Sequence, residues 1–323
     1  MTLFFSDKWI WDFWFAKDGS DYHIFYLQAP RNLGDEQLRH WNSSIGHAVS
    51  ADLRNWQVLP DALAPSTEKE SEFDSYTTWT GSIIKHQGTW YMFYTGSKLV
   101  EKGQIQRVGL ATSTDLITWE RHPANPLIEA DARWYEKLDL DIWHEEAWRD
   151  PWVFRYDGAF HALITGRANY GPADSRGVIA HARSLDLVNW EVLPPITSPG
   201  LFAQMEVPQV IFTNERYYLL FSCGAKQLSS EGRIRFINKT GSYYLCGESP
   251  LGPYRFLDDS PLFGDEHGSL YSGRFTLGPE DDWNLVAFEN FDRDGNFIGR
   301  ITDPMPVRIS EDGRLNIDGH KSE

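Results

Sequence analysis

The chain has 323 residues, 41% hydrophobic and 24% charged, which excludes a disordered or fibrous protein and leaves room for one large domain or two ordinary ones. A formal net charge of −16 excludes a nucleic-acid partner, whose phosphates require grouped Lys and Arg. No apolar stretch reaches the roughly 20 residues of a membrane helix, and two cysteines, Cys223 and Cys246, form neither a disulfide framework nor a metal motif. The opening segment from Met1 to Trp14 has neither a basic n-region nor an apolar h-region, so a cytoplasmic location is expected. Fourteen Trp suit both a large core and flat walls for sugar rings.

Residues 9–15 read as a short strand. Residues 19–28 (GSDYHIFYLQ) read as an alternating aromatic strand entered through a tight turn. A Gly/Ala-rich strand, 45–50, follows, and then the turn Ser50-Ala-Asp-Leu-Arg-Asn-Trp56 and a short last strand. The same order recurs at 79–84, 88–96 and 108–113, closing on Ser113-Thr-Asp-Leu-Ile-Thr-Trp119. It recurs at 148–154 and 158–166, closing on Ser184-Leu-Asp-Leu-Val-Asn-Trp190. A fourth copy runs through 206–212 and 214–224 to Ser249-Pro-Leu-Gly-Pro-Tyr254, and a fifth begins at 270–276 and 282–289. A unit of four strands repeating roughly every 65 residues predicts an all-β protein: a five-bladed β-propeller of four-stranded antiparallel blades. The expectation is one catalytic domain over 1–323, with no β-sandwich after the propeller. Residues 68–76 and 131–146 read as long loops that each enter a first strand, where they would rim one face of the central channel.

The first strands line that channel, where a buried charge is costly unless it is paired or used. Three of the five carry an acid near the start: Asp12, Asp150 and Glu206. The other two have Thr80-Gly81-Ser82 and Tyr271-Ser272-Gly273. Three converging carboxylates suit glycoside hydrolysis: one attacks the anomeric carbon or activates water, one protonates the leaving oxygen, and one holds ring hydroxyls. Crowded like charges raise at least one pKa, which keeps an acid protonated near neutrality. Arg149 stands beside Asp150, where an ordinary ion pair competes with a sugar contact. His144, Glu145 and Glu146 lie just before Asp150 and His267 before the fifth first strand; for these, a place on the rim competes with a solvated loop.

These residues resemble the five-bladed propeller glycosidases of families 32 and 68, over about residues 4 to 310. Trp148-Arg-Asp-Pro151 is similar to the Arg-Asp-Pro motif, and Met205-Glu-Val-Pro208 to the Glu-Cys-Pro motif that carries the acid/base. Tyr22 to Tyr26 with Gln28, Gly46-His-Ala-Val-Ser50 and Trp79-Thr-Gly-Ser82 look like three further segments, in the right order. The chain departs from family 32 in having Trp-Ile-Trp-Asp-Phe-Trp where Asn-Asp-Pro-Asn-Gly is usual. Family 43, inverting and three-acid, is a more distant relative. The resemblance implies a retaining β-fructofuranosidase in which Asp12 is the nucleophile, Glu206 the acid/base and Asp150 the hydroxyl-binding acid. Trp11, Trp14 and Trp79 would wall the pocket, and Arg149, Gln28, Ser82, His144 and His267 would bind or border the sugar. Transfer to a sugar hydroxyl, inverting arabinoside or xyloside cleavage, and non-catalytic sugar binding remain as alternatives. No cofactor or metal is implied, the partner is a sugar or oligosaccharide, and a second copy of the chain is a candidate to cover the flank left without a sandwich.

Overall fold

A computed structural model describes residues 3–317. Five antiparallel sheets make up the molecule, each entered by the strand that the repeat predicts. Blade I is β1 (Lys8–Asp18), β2 (Asp21–Pro30), β3 (Ser44–Ser50) and β4 (Gln57–Leu63). Blade II is β5 (Thr77–His86), β6 (Thr89–Ser97), β7 (Gln106–Ser113) and β8 (Glu120–Arg121). Blade III is β9 (Trp148–Tyr156), β10 (Ala159–Arg167), β11 (Gly177–Ser184) and β12 (Trp190–Leu193). Blade IV is β13 (Glu206–Thr213), β14 (Arg216–Cys223), β15 (Thr240–Gly247) and β16 (Tyr254–Arg255), with β17 (Phe263–Asp265) added to β15. Blade V departs from the simple repeat. Its sheet runs β18 (Leu270–Leu277), β19 (Trp283–Phe291), β21 (Met305–Ile309) and β22 (Leu315–Ile317), while β20 (Phe297–Ile301) pairs with the far end of β19. The ring closes there, where Ile301 donates its N–H to the Leu3 carbonyl at 3.1 Å.

Local chemistry explains the repeat. The first hairpins of blades II to IV turn on two residues with positive φ, Gln87-Gly88, Asp157-Gly158 and Asn214-Glu215, the geometry that matches strand twist. The Asp-Leu-x-x-Trp frame is a second such device. Asp186 Oδ1 accepts the N–H groups of Val188 and Asn189 at 2.9 and 2.8 Å, and Ser184 Oγ donates to Asp186 at 3.0 Å. The hydrogen bonds clamp Leu187 in a left-handed conformation, φ 68°, with its side chain buried. Leu53 and Leu116 repeat this at φ 61° and 65°. In blades II and III the turn drops its Trp onto the preceding blade, Trp119 meeting Phe25 edge-on at 5.7 Å and Trp190 meeting Phe93 at 5.3 Å, while Trp56 stacks on Phe15 of its own blade at 6.5 Å. In those two blades the most regular motif in the sequence is therefore a blade-to-blade fastener.

The loop 131–146 is irregular, tied down by Tyr135, whose hydroxyl donates to the Leu193 carbonyl at 2.6 Å. Cys223 and Cys246 are buried free thiols. Among the described residues, no helix is long and apolar enough to cross a membrane.

Candidate active site

Each first strand slips its pairing by one residue at the same place. The extra residue falls at Asp12 between Trp11 and Phe13, at Thr80 between Trp79 and Gly81, and within Arg149–Trp152, Glu206–Gln209 and Tyr271–Arg274 in the other blades. Asp150, Val207 and Ser272 hold φ of 60°, 55° and 55° there. A β-bulge re-aims a side chain and marks strands next to active sites; non-glycine left-handed backbone is strained and needs its surroundings to hold it. Aligned on the bulge, Asp12, Thr80, Asp150, Val207 and Ser272 are equivalent. Glu206 stands one residue earlier, level with Trp11, Trp79, Arg149 and Tyr271. The three acids near the starts of first strands are thus not all equivalent: two occupy the bulge and the third its neighbouring position.

The three acids are held differently. Thr80 Oγ1 donates to Asp12 Oδ2 at 3.1 Å. Burial pushes the Asp12 carboxyl above its ordinary value; the Ser272 hydroxyl opposes this, the Glu206 charge adds to it, and Thr80 and Arg274 oppose it. Asp150 is buried, and its Oδ2 accepts from Thr165 Oγ1 at 2.9 Å and from the Val207 N–H at 3.1 Å. Burial pushes its carboxyl up to about 7, against the pull of Arg149 and with the push of Asp12 and Glu206. The acid driven towards neutrality is thus Asp150. Glu206 takes charge-assisted bonds instead, from Arg149 Nη2 to Oε1 at 2.7 Å and from the Tyr271 hydroxyl to Oε2.

Arg149 is the hub. Its Nη1 donates to Gln106 Oε1 at 3.0 Å and Glu145 Oε1 at 2.9 Å, and its Nη2 also reaches Gln204 Oε1 at 2.6 Å. Burial alone would lower the guanidinium's pKa, but Glu145, Glu206 and Asp150 carry it higher. Glu145, which the sequence leaves between rim and solvated loop, is a wall residue fixed by Arg149 and the amides of Gln204 and Gln106 at 2.6 Å each. Burial would raise its carboxyl, yet Arg149, His144 and those amides bring it below the ordinary value. Glu146 is buried in a different role, taking Lys137 Nζ and the Leu138 N–H at 3.0 Å.

These groups line a cavity of about 1350 Å³ at the channel mouth. The opposite wall is a 3-10 turn, Glu36–Trp41, inserted between β2 and β3. Arg39 sits 3.8 Å over the Phe297 ring and 5.7 Å over Trp11. Burial pushes the His40 imidazole down to about 3, helped by Arg39 and Arg149, so it faces the cavity neutral. Trp79 Nε1 donates to the His40 carbonyl at 2.8 Å, and Trp41 stacks on Tyr76 at 5.4 Å at the rim.

Of the residues expected at the sugar, Asp12, Asp150, Glu206, Arg149, Trp11, Trp79, His144 and His267 lie along the cavity. His144 is largely exposed there, its side chain 73% accessible. Three do not. Trp14 is a core residue stacked on Phe25 at 6.2 Å, because it lies beyond the bulge and packs inside blade I. Gln28 ties strand starts together, accepting from Lys8 Nζ at 3.1 Å and donating to Ser44 Oγ at 3.2 Å. Ser82 fastens two blades, accepting the Val153 N–H at 2.9 Å. The residues that the sequence did not single out are Thr80, Tyr271, Arg274, Gln204 and the Arg39-His40-Trp41 turn. Thr80, Tyr271 and Arg274 sit at repeat positions that a bulge-level alignment exposes; the 36–41 turn has no counterpart in other blades and carries no such signal.

Residues 13–289 match the model of the glycosyl hydrolases family 32 N-terminal domain. The chain is 26% identical to an extracellular sucrase of Zymomonas mobilis, over 98% of this chain and 84% of that one. It is 31% identical to a rice (Oryza sativa subsp. indica) beta-fructofuranosidase, insoluble isoenzyme 7, over 78% of this chain and 42% of the relative, so it spans less than half of that enzyme. Among solved structures it resembles an inulosucrase from Halalkalicoccus jeotgali bound to kestose, with a TM-score of 0.76, 22% identity and coverage of 99% and 89% of the two chains. The expected cytoplasmic location is corrected by these relatives, whose names describe extracellular and insoluble enzymes and point away from the cytoplasm. With its propeller, its carboxylates at the channel mouth and a family match over most of its length, the chain is a glycosidase and belongs to glycosyl hydrolase family 32.

Proposed function

We propose that the chain cleaves a β-fructofuranosyl linkage with retention, through a covalent fructosyl-enzyme intermediate. Asp12 attacks the anomeric carbon as Glu206 protonates the leaving oxygen; Glu206 then deprotonates the water that releases fructose and regenerates Asp12. Asp150 and Arg149 grip ring hydroxyls, and Trp11 and Trp79 flank the ring. The observation that carries this reading is the contrast at the two working acids. Asp12 accepts a hydrogen bond from the neutral Thr80 hydroxyl, and among the described residues no cation is bonded to it, whereas Glu206 is held by a guanidinium and a phenol. The substrates in the names of the relatives, sucrose and fructans, support the choice of sugar. Every residue along the cavity comes from the five blades and their loops, so the propeller itself is proposed as the catalytic unit.

A second reading, transfer of fructose to a sugar hydroxyl, is favoured by the wall around Glu206, where Gln204, Gln227 and Glu145 offer amide and carboxylate partners to an acceptor sugar. The test is incubation with sucrose, inulin, levan and an aryl arabinofuranoside, alongside Asp12→Ala. Fructose, or a lengthening fructo-oligosaccharide, from the wild type and not from the variant supports the proposal, and the β-anomer as first-formed product supports retention. Released arabinose, or inversion, sinks it.

A further inference from the structure

Arg274 is a cation that the reaction above does not use. It lies on β18, three residues beyond Tyr271, level with Trp14, Ser82, Trp152 and Gln209 in the other blades. It is 1% exposed. Its Nε donates to the Phe13 carbonyl at 3.2 Å and its Nη1 to the Pro208 carbonyl at 2.7 Å, and the guanidinium lies 5.5 Å over the Trp152 ring. Phe13 follows Asp12 directly and Pro208 is two residues after Glu206, so one side chain ties together the strands of two acids. Its Nη2 is buried without a partner among the described residues. A buried guanidinium with two carbonyl acceptors is under-compensated, and the negative charge acting on it comes from Asp150 and Asp12.

We propose that Arg274 is a positioning residue: from beneath the cavity floor it keeps Asp12 charged for attack and fixes its strand against that of Glu206. The inference rests on the assignment of Asp12 as nucleophile. The groups acting on Asp12 are the carboxylates of Glu206 and Asp150, the cations Arg39 and Arg274, the Tyr271 phenol, and the hydroxyls of Thr80 and Ser272. Of the cations near the site, Arg149 is spent on Glu145, Glu206 and Gln204, and Arg39 on the Glu36 carbonyl and two aromatic rings. Arg39 Nε and Arg274 Nη2 are both buried without a partner among the described residues, but Arg274 is the cation whose other donors tie the strands of Asp12 and Glu206.

The experiment is the pH dependence of kcat/KM for sucrose, from about pH 4 to about pH 8, in the wild type, Arg274→Lys and Arg274→Gln. Its acid limb reports the free enzyme's nucleophile. In Arg274→Gln the limb moves up by about one pH unit, so on the acid side of both limbs activity, against each enzyme's own plateau, is about tenfold lower than in the wild type. Arg274→Lys keeps the limb of the wild type, even with a lower plateau. An unmoved limb in Arg274→Gln overturns the proposal and leaves Arg274 a structural tie; Arg274→Met gives the same reading where the Gln variant does not fold. Asp12→Asn is the control: activity in that variant overturns the nucleophile assignment itself, and the inference with it.

Discussion

The backbone N–H of Val207 donates to Asp150 Oδ2 at 3.1 Å, so the bulge of blade IV is pinned by the carboxylate of blade III. Val207 holds its left-handed φ of 55° next to Glu206. The acid proposed to grip the sugar therefore also sets where the proposed acid/base stands.

Two substitutions at Asp150 separate these duties. Asp150→Asn keeps an oxygen for the Val207 N–H and the Thr165 hydroxyl, so its melting temperature stays near that of the wild type while kcat/KM falls by about a thousandfold or more. Asp150→Ala leaves the Val207 N–H buried without a partner, at about 1–3 kcal/mol, while the Thr165 hydroxyl keeps the Met205 carbonyl at 3.1 Å. It loses activity to the same degree and also melts well below the wild type. Calorimetry with initial rates on sucrose distinguishes the two, and equal melting temperatures would count against the pinning role.

The same carboxyl makes stability depend on pH. Its pKa is raised in the folded protein to about 7 from an ordinary value of 3.8. Between those values the folded chain holds a proton that the unfolded chain has released, so this contribution is full below about pH 4 and is lost as pH rises to about 7. Asp150→Asn removes the term. Its unfolding free energy relative to the wild type should improve from pH 4 to pH 7 in urea titrations, and a flat difference would place the charge elsewhere.

Two buried histidine pairs act in the opposite direction. His23 Nδ1 lies 2.8 Å from His47 Nε2 in blade I, and His161 Nδ1 lies 2.9 Å from His181 Nε2 in blade III. Burial and the neighbouring ring push His47 down to about 3 and His181 to about 4. The unfolded chain takes up protons below about pH 6.5 that the folded one refuses, so stability falls as pH drops from there towards 4. Blade II has Tyr91 and Leu110 at the equivalent places. The double variant His161→Tyr with His181→Leu copies them and should show a shallower loss of stability below pH 6, with activity unchanged at neutral pH.

Trp79→Phe keeps an aromatic wall and removes the 2.8 Å bond to the His40 carbonyl. The turn carrying Arg39, His40 and Trp41 is then less firmly seated. KM for sucrose should rise several-fold with a smaller change in kcat. A fall in kcat alone would assign Trp79 to the reacting centre.

Strand order and blade number were legible because each strand carries its own alternation and each hairpin its own turn residues. Asp12, Asp150 and Glu206 were legible because the repeat picks them out as acids on first strands. The bulge was not, since it is a slip in register between two strands and neither strand shows it alone. That slip is why Thr80 reaches Asp12 while Ser82, two residues on, bonds to the next blade. Glu145 was hidden for another reason: its burial depends on Arg149 and on Gln106 and Gln204, which come from three different segments of the chain.

The bulge ring also bears on how such an enzyme can change. Five blades present the same kinked position to one small volume, and the backbone there is already bent whether an aspartate, a threonine, a valine or a serine occupies it. New chemistry at this mouth therefore calls for a change of side chain at a prepared address, while the frame that holds the blades together, the Asp-Leu-x-x-Trp turns on the outside, is left untouched. Where the bulge residue bonds to no neighbouring blade, mutation can explore the mouth without loosening the fasteners; Asp150, which pins Val207, is a position where the two duties meet.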